Sequence, residues 1–264
     1  MNISKLLLTR EKYQEEAAKN KKGYSTFEIK TPKQVLFYFG ANHSRNPQNL
    51  QYKALRNYWN KFLKITQKEN DIVLIEGTIR PIINNLNEAI KSGSEGNFIT
   101  TLAFKENIPV VCADLNNNYF VKKYPKLNKD EILLYWFLNW LNNFQNNNNN
   151  FSKNDFENAA KKWCRNQQAK EIWKNKEISL SKLKNIYKKF LNKDFNEKES
   201  VNNLINPNRI ETPINKIARL QSDARDENIV KEILKYWRKE KNIFAVFGRG
   251  HLIIQKQALK KLLK

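Results

Sequence analysis

Four short apolar runs stand out along the chain, at 35–39, 72–75, 108–112 and 243–247. Each is continuous instead of alternating, and most are rich in Val, Ile and Phe. That pattern suits strands buried on both faces, as in a parallel sheet. Pro109 sits at the start of the third run, where proline is tolerated. Segments of helical period separate the first three runs. One is 48–68, with Leu50, Leu55, Tyr58, Trp59, Phe62 and Leu63; the other is 96–106. The order β-α-β-α-β predicts an α/β layered fold with crossover helices. Ahead of it, residues 4–21 read as a polar, exposed helix. Leu6, Leu7, Tyr13 and Ala17 give it only a thin apolar stripe.

Between 128 and 206 the strand pattern disappears. Residues 130–144 form a strongly apolar helical stretch carrying Trp136 and Trp140, and the asparagine tract 146–150 reads as a loop. Helices are expected around 154–175 and 179–191. A long helix from Pro213 to about Lys239, capped by Thr212, returns the chain to the last strand. The expected fold class is therefore α/β: a central, largely parallel sheet flanked by helices, with a helical insertion between the two halves of the core. The expected segments are a helical arm at 1–32, core halves at 33–127 and 207–264, and a helical insertion or cap at 128–206.

Composition narrows the class. At 264 residues and 40% hydrophobic content, the chain can bury one sizeable core, or one core plus an insertion. Two cysteines, Cys112 and Cys164, cannot frame a disulfide scaffold, and they fit a reducing compartment. No apolar run approaches the roughly 18–20 residues of a membrane span. The first residues are charged throughout, unlike a signal peptide. The expectation is a soluble, cytoplasmic protein; no signal for oligomeric state is present. The formal net charge is +22. A polyanionic partner such as nucleic acid would explain it. Coding bias would too, since Lys, Asn and Ile are all over-used and the basic residues are spread along the chain. No helix-turn-helix, zinc-finger or RNA-recognition signature supports the nucleic-acid alternative.

Histidine changes the picture. The chain holds two, His43 and His251. Each closes the same short motif after an apolar run: Gly40-Ala41-Asn42-His43 and Gly248-Arg249-Gly250-His251. With so few glycines, chance places both histidines three residues after a glycine about once in a thousand. A glycine at a strand end permits close backbone approach. Three residues on, the chain should enter a helix, whose N-terminus biases an imidazole toward its neutral form. All strand C-termini of a parallel sheet share one rim, so the two histidines can converge there.

The same rim should receive acids. Glu76 follows the second run, Asp114 follows the third, and Glu95 sits in the turn 92–96 before a helix. Two histidines with one or two carboxylates suit a divalent-metal site of His43, His251 and Glu76. They equally suit metal-free hydrolysis, with His activating water and a carboxylate orienting it. Structural readings stand beside these: Asp114 as a strand-closing or capping residue, and Glu95 as a first-turn acid favoured by the helix dipole. Cys112, Cys164 and the tryptophans read as packing. Arg225 is read either as part of a solvated helix face or as a cation reaching back to the rim.

These residues resemble the TraB/PrgY–Tiki superfamily, which includes ChaN-like and erythromycin-esterase-like proteins. The resemblance rests on the paired G-x-x-H motifs, Glu76, Glu95, the strand ending in Asp114, and Arg225-Asp226 ahead of the last strand. It covers roughly 33–115 and 212–263. It implies an α/β core whose cleft is framed by the two histidines. It also implies a hydrolase, metallopeptidase-like or esterase-like, acting on a peptide or small-molecule ester. His43, His251 and Glu76 would hold Mn, Zn or Co or activate water, with Glu95 as second acid and Arg225 as orienting cation. The ChaN-like members imply an alternative, haem or metal binding without catalysis.

Overall fold

Three of the four apolar runs become strands at the centre of one sheet because both of their faces are covered, and the run at 108–112 supplies a half-buried edge strand. The structure, a computed structural model, describes residues 2–19, 23–148 and 150–264. In chain order the elements are α1 (Arg10–Ala18), β1 (Ser25–Lys30), β2 (Val35–Ala41), α2 (Gln51–Leu63), β3 (Asp71–Ile75), α3 (Leu86–Lys105) and β4 (Val110–Cys112). Then come α4 (Asn117–Lys123), α5 (Lys129–Asn147), α6 (Lys153–Gln168), α7 (Leu180–Leu191), α8 (Pro213–Trp237), β5 (Asn242–Gly248) and α9 (Arg249–Leu262). Two compact units emerge: Met1–Leu115 with Arg225–Lys264, and Asn116–Ala224.

In the first unit the described strands pair in the order β1-β2-β5-β3-β4. All neighbours are parallel except β1, which runs antiparallel along the edge of β2. Alternate residues of the central strands enter opposite cores. Leu36, Tyr38, Leu74, Ala245 and Phe247 pack with Ile229, Ile233, Leu252 and Leu259 of α8 and α9. Phe37, Phe39, Val73, Phe244 and Val246 pack with Leu55, Trp59, Phe62 and Phe98 of α2 and α3. This two-sided burial is the reason the runs show no alternation.

Several expectations need amendment. Residues 1–32 are not wholly a helical arm: Ser25–Lys30 is a strand, held by antiparallel pairing with β2. Its short, mixed sequence carries too little apolar signal to stand out, and pairing decides its conformation. Nor is α1 simply exposed, since Arg10 is buried; positions 20 and 21 of the expected helix lie outside the described residues. The strand of the third apolar run, β4, starts after Pro109, whose carbonyl accepts from the Val73 N–H at 2.9 Å. The α2 helix is shorter than 48–68. The helix expected at 96–106 is the second half of α3, which breaks at Gly93 and Ser94.

The second unit is helical throughout its regular elements. It starts at Asn116, ahead of the expected boundary at 128, because α4 clusters with it. Side-chain caps start its helices: Asn128 accepts from the Asp130 N–H, Ser152 and Asp155 form a capping box, and Ser179 accepts from Lys182. Phe137, Phe156, Trp173 and Tyr187 are fully buried. The asparagine tract is helical as far as Asn147, and Asn149 lies outside the described residues. Thr212 Oγ1 accepts from the Asn215 N–H at 3.1 Å, so Pro213 does open α8. Among the described residues no helix is long and apolar enough to cross a membrane.

Candidate functional site

Parallel register sets the rim. Ala41 lies opposite Gly248 and Ile75 opposite Val246, so β2 and β5 end level and β3 ends two residues short of them on the same rim. The Glu76 N–H still donates to Val246 O at 3.2 Å, which carries the Glu76 side chain onto the end of β5. There its Oε2 accepts from the Gly248 N–H at 2.8 Å. His251 is in the first turn of α9, as the motif predicts. His43 is not at a helix start; it occupies the loop between β2 and α2, which begins only at Gln51.

The two motif glycines serve packing, with neither in the left-handed region. A Cβ on Gly40 would meet Arg249 Cα at 3.0 Å and Leu252 Cβ at 3.1 Å, so its absence lets α9 approach β2. A Cβ on Gly248 would lie 2.6 Å from His43 Nε2.

Each imidazole has its own carboxylate. His43 Nδ1 is 2.5 Å from Glu95 Oε1, and His251 Nδ1 is 2.7 Å from Asp226 Oδ1. Each turns its Nε2 toward Glu76: His43 Nε2 is 3.6 Å from Oε2 and His251 Nε2 is 3.7 Å from Oε1. Glu95 reaches this position through the break in α3. Gly93 there has no room for a Cβ, which would fall 2.4 Å from Asn97 Cγ, and Ser94 adopts φ 51°. Glu95 is buried, and its Oε2 has no hydrogen-bond partner among the described residues.

Arg225 is at the rim, not on a solvated face. Its Nη2 donates to Glu76 Oε1 at 2.6 Å and to Asp114 Oδ2 at 3.0 Å, and its Nε donates to Asp114 Oδ1 at 2.7 Å. The geometry thus brings together all five sequence candidates: His43, His251, Glu76, Glu95 and Arg225. It also gives Asp114 a partner, since the Gly77 N–H donates to its Oδ2 at 3.3 Å.

Further participants join them, of which only Asp226 had been singled out in the sequence, and there without a role. Asp226, fully buried, holds His251 and accepts from Gln255 Nε2 at 2.8 Å and Arg10 Nη2 at 3.3 Å. Tyr38 donates to Gln255 Oε1 at 2.9 Å. Gln255 follows His251 by four residues, one turn along α9, which is a signal helical spacing could have supplied. Arg10 carried none, because its partner is 216 residues away.

Neutral histidines were expected, and the carboxylates pull both pKa values the other way. Burial alone would lower the His251 pKa, but Asp226 and Glu76 outweigh it and push it up to about 9. The hydrogen bond from Glu95 raises His43. Burial would raise Glu76, yet His251, Arg225 and His43 together hold it well below the ordinary carboxylate range. For Arg225, burial opposes the charge, and Glu76 and Asp114 restore it.

A pH dependence follows for protein stripped of divalent cations. The folded pKa of His251 lies above its ordinary value near 6.5, so the stabilisation is complete below about pH 6.5. It fades as the pH rises toward about 9, and His43 acts in the same direction. The urea midpoint of EDTA-treated protein should therefore fall across that interval. A flat profile would show that the imidazolium cluster adds nothing to stability.

Among the described residues no three His, Cys, Asp or Glu side chains form a ready ligand group. The donor chemistry nevertheless fits. Engaging both Nδ1 atoms with carboxylates leaves both Nε2 atoms for a cation, the usual arrangement behind metal-bound histidines. The separations of 3.6 and 3.7 Å are slightly wider than the ~3.4 Å between two atoms that are each about 2.1 Å from one tetrahedral ion. Charge fits as well. The carboxylates of Glu76, Glu95, Asp114 and Asp226 exceed the guanidiniums of Arg10 and Arg225 by two charges. Two imidazolium protons, or one dication with neutral rings, make up that difference. No family model, curated protein or solved structure matches this chain.

Proposed function

We propose that this chain is a hydrolase that cleaves a peptide or ester bond with a water activated between His43, His251 and Glu76, with a divalent cation as cofactor. The observation that carries the reading is the convergence of two carboxylate-backed imidazoles on one carboxylate. The resemblance to the TraB/PrgY–Tiki superfamily rests on the same residues and points the same way.

The chain's own groups have distinct parts. Glu95 and Asp226 each hold an Nδ1 proton, which fixes the rings and directs Nε2 inward. Arg225 and the Gly248 N–H hold Glu76 from two sides. The His43 side chain is 56% exposed and that of His251 only 11%, so His43 forms the substrate-facing edge and His251 the floor. Water adds to the carbonyl, the acyl bond to nitrogen or oxygen breaks, and the water's proton leaves with the amine or alcohol. When bound, a divalent cation supplies Lewis acidity and lowers the pKa of the attacking water.

The test is metal content by elemental mass spectrometry together with turnover on peptide and ester panels, using protein without a histidine tag. One equivalent of Mn, Zn or Co per chain is expected in the wild type and none in the His43→Ala/His251→Ala double variant. EDTA should abolish turnover, and adding the metal back should restore it. Full turnover in EDTA with no bound metal would remove the cation and leave direct proton transfer by the imidazoles. No turnover on either panel by metal-loaded protein would overturn the hydrolase reading.

A further inference from the structure

Helix α1 has little apolar reason to dock. Tyr13 and Ala17 are only half-buried, and the one residue the helix buries is a cation, Arg10, at 8% exposure. Burying a guanidinium is costly unless a charged partner answers it. That partner is Asp226 on α8, itself fully buried, whose Oδ2 lies 3.3 Å from Arg10 Nη2. The other carboxylate oxygen, Oδ1, takes two donors from α9, His251 Nδ1 at 2.7 Å and Gln255 Nε2 at 2.8 Å. The terminal torsion of an aspartate is intrinsically broad, so its partners set the plane of the carboxylate. The chain around α1 also meets α9 on both sides of His251. The Leu8 N–H donates to Ile254 O at 3.0 Å, and Arg249 Nη2 donates to Ala17 O at 3.2 Å. A Cβ on Gly250 would lie 3.3 Å from Tyr13 Oη.

We infer that the segment 8–17 is a positioning element of the site: Arg10 fixes the Asp226 carboxylate, and through it the direction in which the His251 ring presents Nε2. Its effect on turnover rests on the hydrolase reading; its hold on the ring does not. Arg10 acts through Asp226, so it is a positioning residue. A guanidinium suits the part because it is planar and stays charged, and its fork keeps a fixed geometry against a carboxylate. His43 is the internal control, because its Nδ1 rests on Glu95 of α3.

The experiment compares wild type with Arg10→Ala and Arg10→Lys in two readouts. The first is NMR of ¹⁵N-histidine-labelled protein at one fixed pH, following the Nδ1–H proton that each carboxylate holds. Arg10→Ala should lose or broaden the His251 signal and keep that of His43. Methylguanidinium, which fits the space the substitution opens, should restore it. The second is Co²⁺ titration of tag-free protein followed by visible absorption. Co²⁺ affinity should fall about ten-fold in Arg10→Ala and recover with methylguanidinium. On the peptide and ester panels kcat should fall by a similar factor with KM unchanged. Arg10→Lys keeps the charge without the fork and should lie between the two. It carries the test if Arg10→Ala does not fold, and a His251 signal as sharp as wild type then overturns the inference. A folded Arg10→Ala with an unchanged His251 signal overturns it directly. So does a loss that His43 shares and methylguanidinium does not repair, which would leave Arg10 only holding α1 in place. If wild type takes up no Co²⁺, the cation reading falls and the His251 signal alone decides. A changed His251 signal in a protein that hydrolyses nothing would keep the positioning role and lose the hydrolase.

Discussion

Glu76→Gln is expected to lower kcat/KM for hydrolysis by a factor of about 10²–10⁴, the range that a positioned acid–base group supplies, while the protein stays folded. Both imidazoles address this carboxylate, and it also receives Arg225 Nη2 and the Gly248 N–H. Glutamine has nearly the same shape but one acceptor oxygen and no charge. Its NH2 end would face either a guanidinium or a backbone N–H, both donors. Arg225 keeps Asp114 as a partner, which is why the fold should survive. A second readout needs no substrate. Losing Glu76 removes part of what pushes the His251 pKa up to about 9, so the ring's NMR titration should move toward the ordinary value near 6.5. Wild-type turnover by a folded Glu76→Gln protein would remove Glu76 from the mechanism.

Gly248→Ala is the second large effect, and it separates the site from the fold. Gly248 has φ −54° and ψ 143°, which alanine adopts without strain. The added Cβ would fall 2.6 Å from His43 Nε2 and 3.4 Å from Glu76 Oε2. The His43 ring is more than half exposed, so it can swing away at little cost to stability. It then leaves its place opposite Glu76. A displacement on the order of 1 Å at a reacting group costs about 10²-fold, and that loss with a nearly unchanged melting temperature is the expected result. Gly40→Ala supplies the contrast. Its Cβ would press on Arg249 Cα and Leu252 Cβ, which cannot swing away, so about 1–3 kcal/mol of stability should be lost. If Gly248→Ala instead destabilises like Gly40→Ala and keeps its activity, His43 does not work from the position described.

Much of the architecture was legible because two-sided burial writes itself directly into sequence. Runs 35–39, 72–75 and 243–247 have no polar position to interrupt them, since alternate residues enter two separate cores. Edge strand β1 was not legible. Ser25–Lys30 buries chiefly Phe27, and what makes it a strand is the hydrogen-bonding edge of β2, which lies outside its own sequence. The break in α3 had a local sign in Ser92-Gly93-Ser94, while its consequence, aiming Glu95 at His43, did not.

The chain's own pattern determined that a parallel sheet would form, that both G-x-x-H motifs would follow strands ending on one rim, and that Glu76 would finish a strand on the same rim. Periodicity and strand-end chemistry are local properties, and a single sequence records them. Only the tertiary structure decided the protonation bias of the histidines. It set Asp226 and Glu95 against the Nδ1 atoms, which raises both histidine pKa values, against the lowering that a helix N-terminus would give. It also decided that Arg10 would support Asp226, and that Arg225 would join Glu76 to Asp114. Those pairings span more than a hundred residues, and charge interactions depend on distance and burial in space, neither of which is written in the order of residues along the chain.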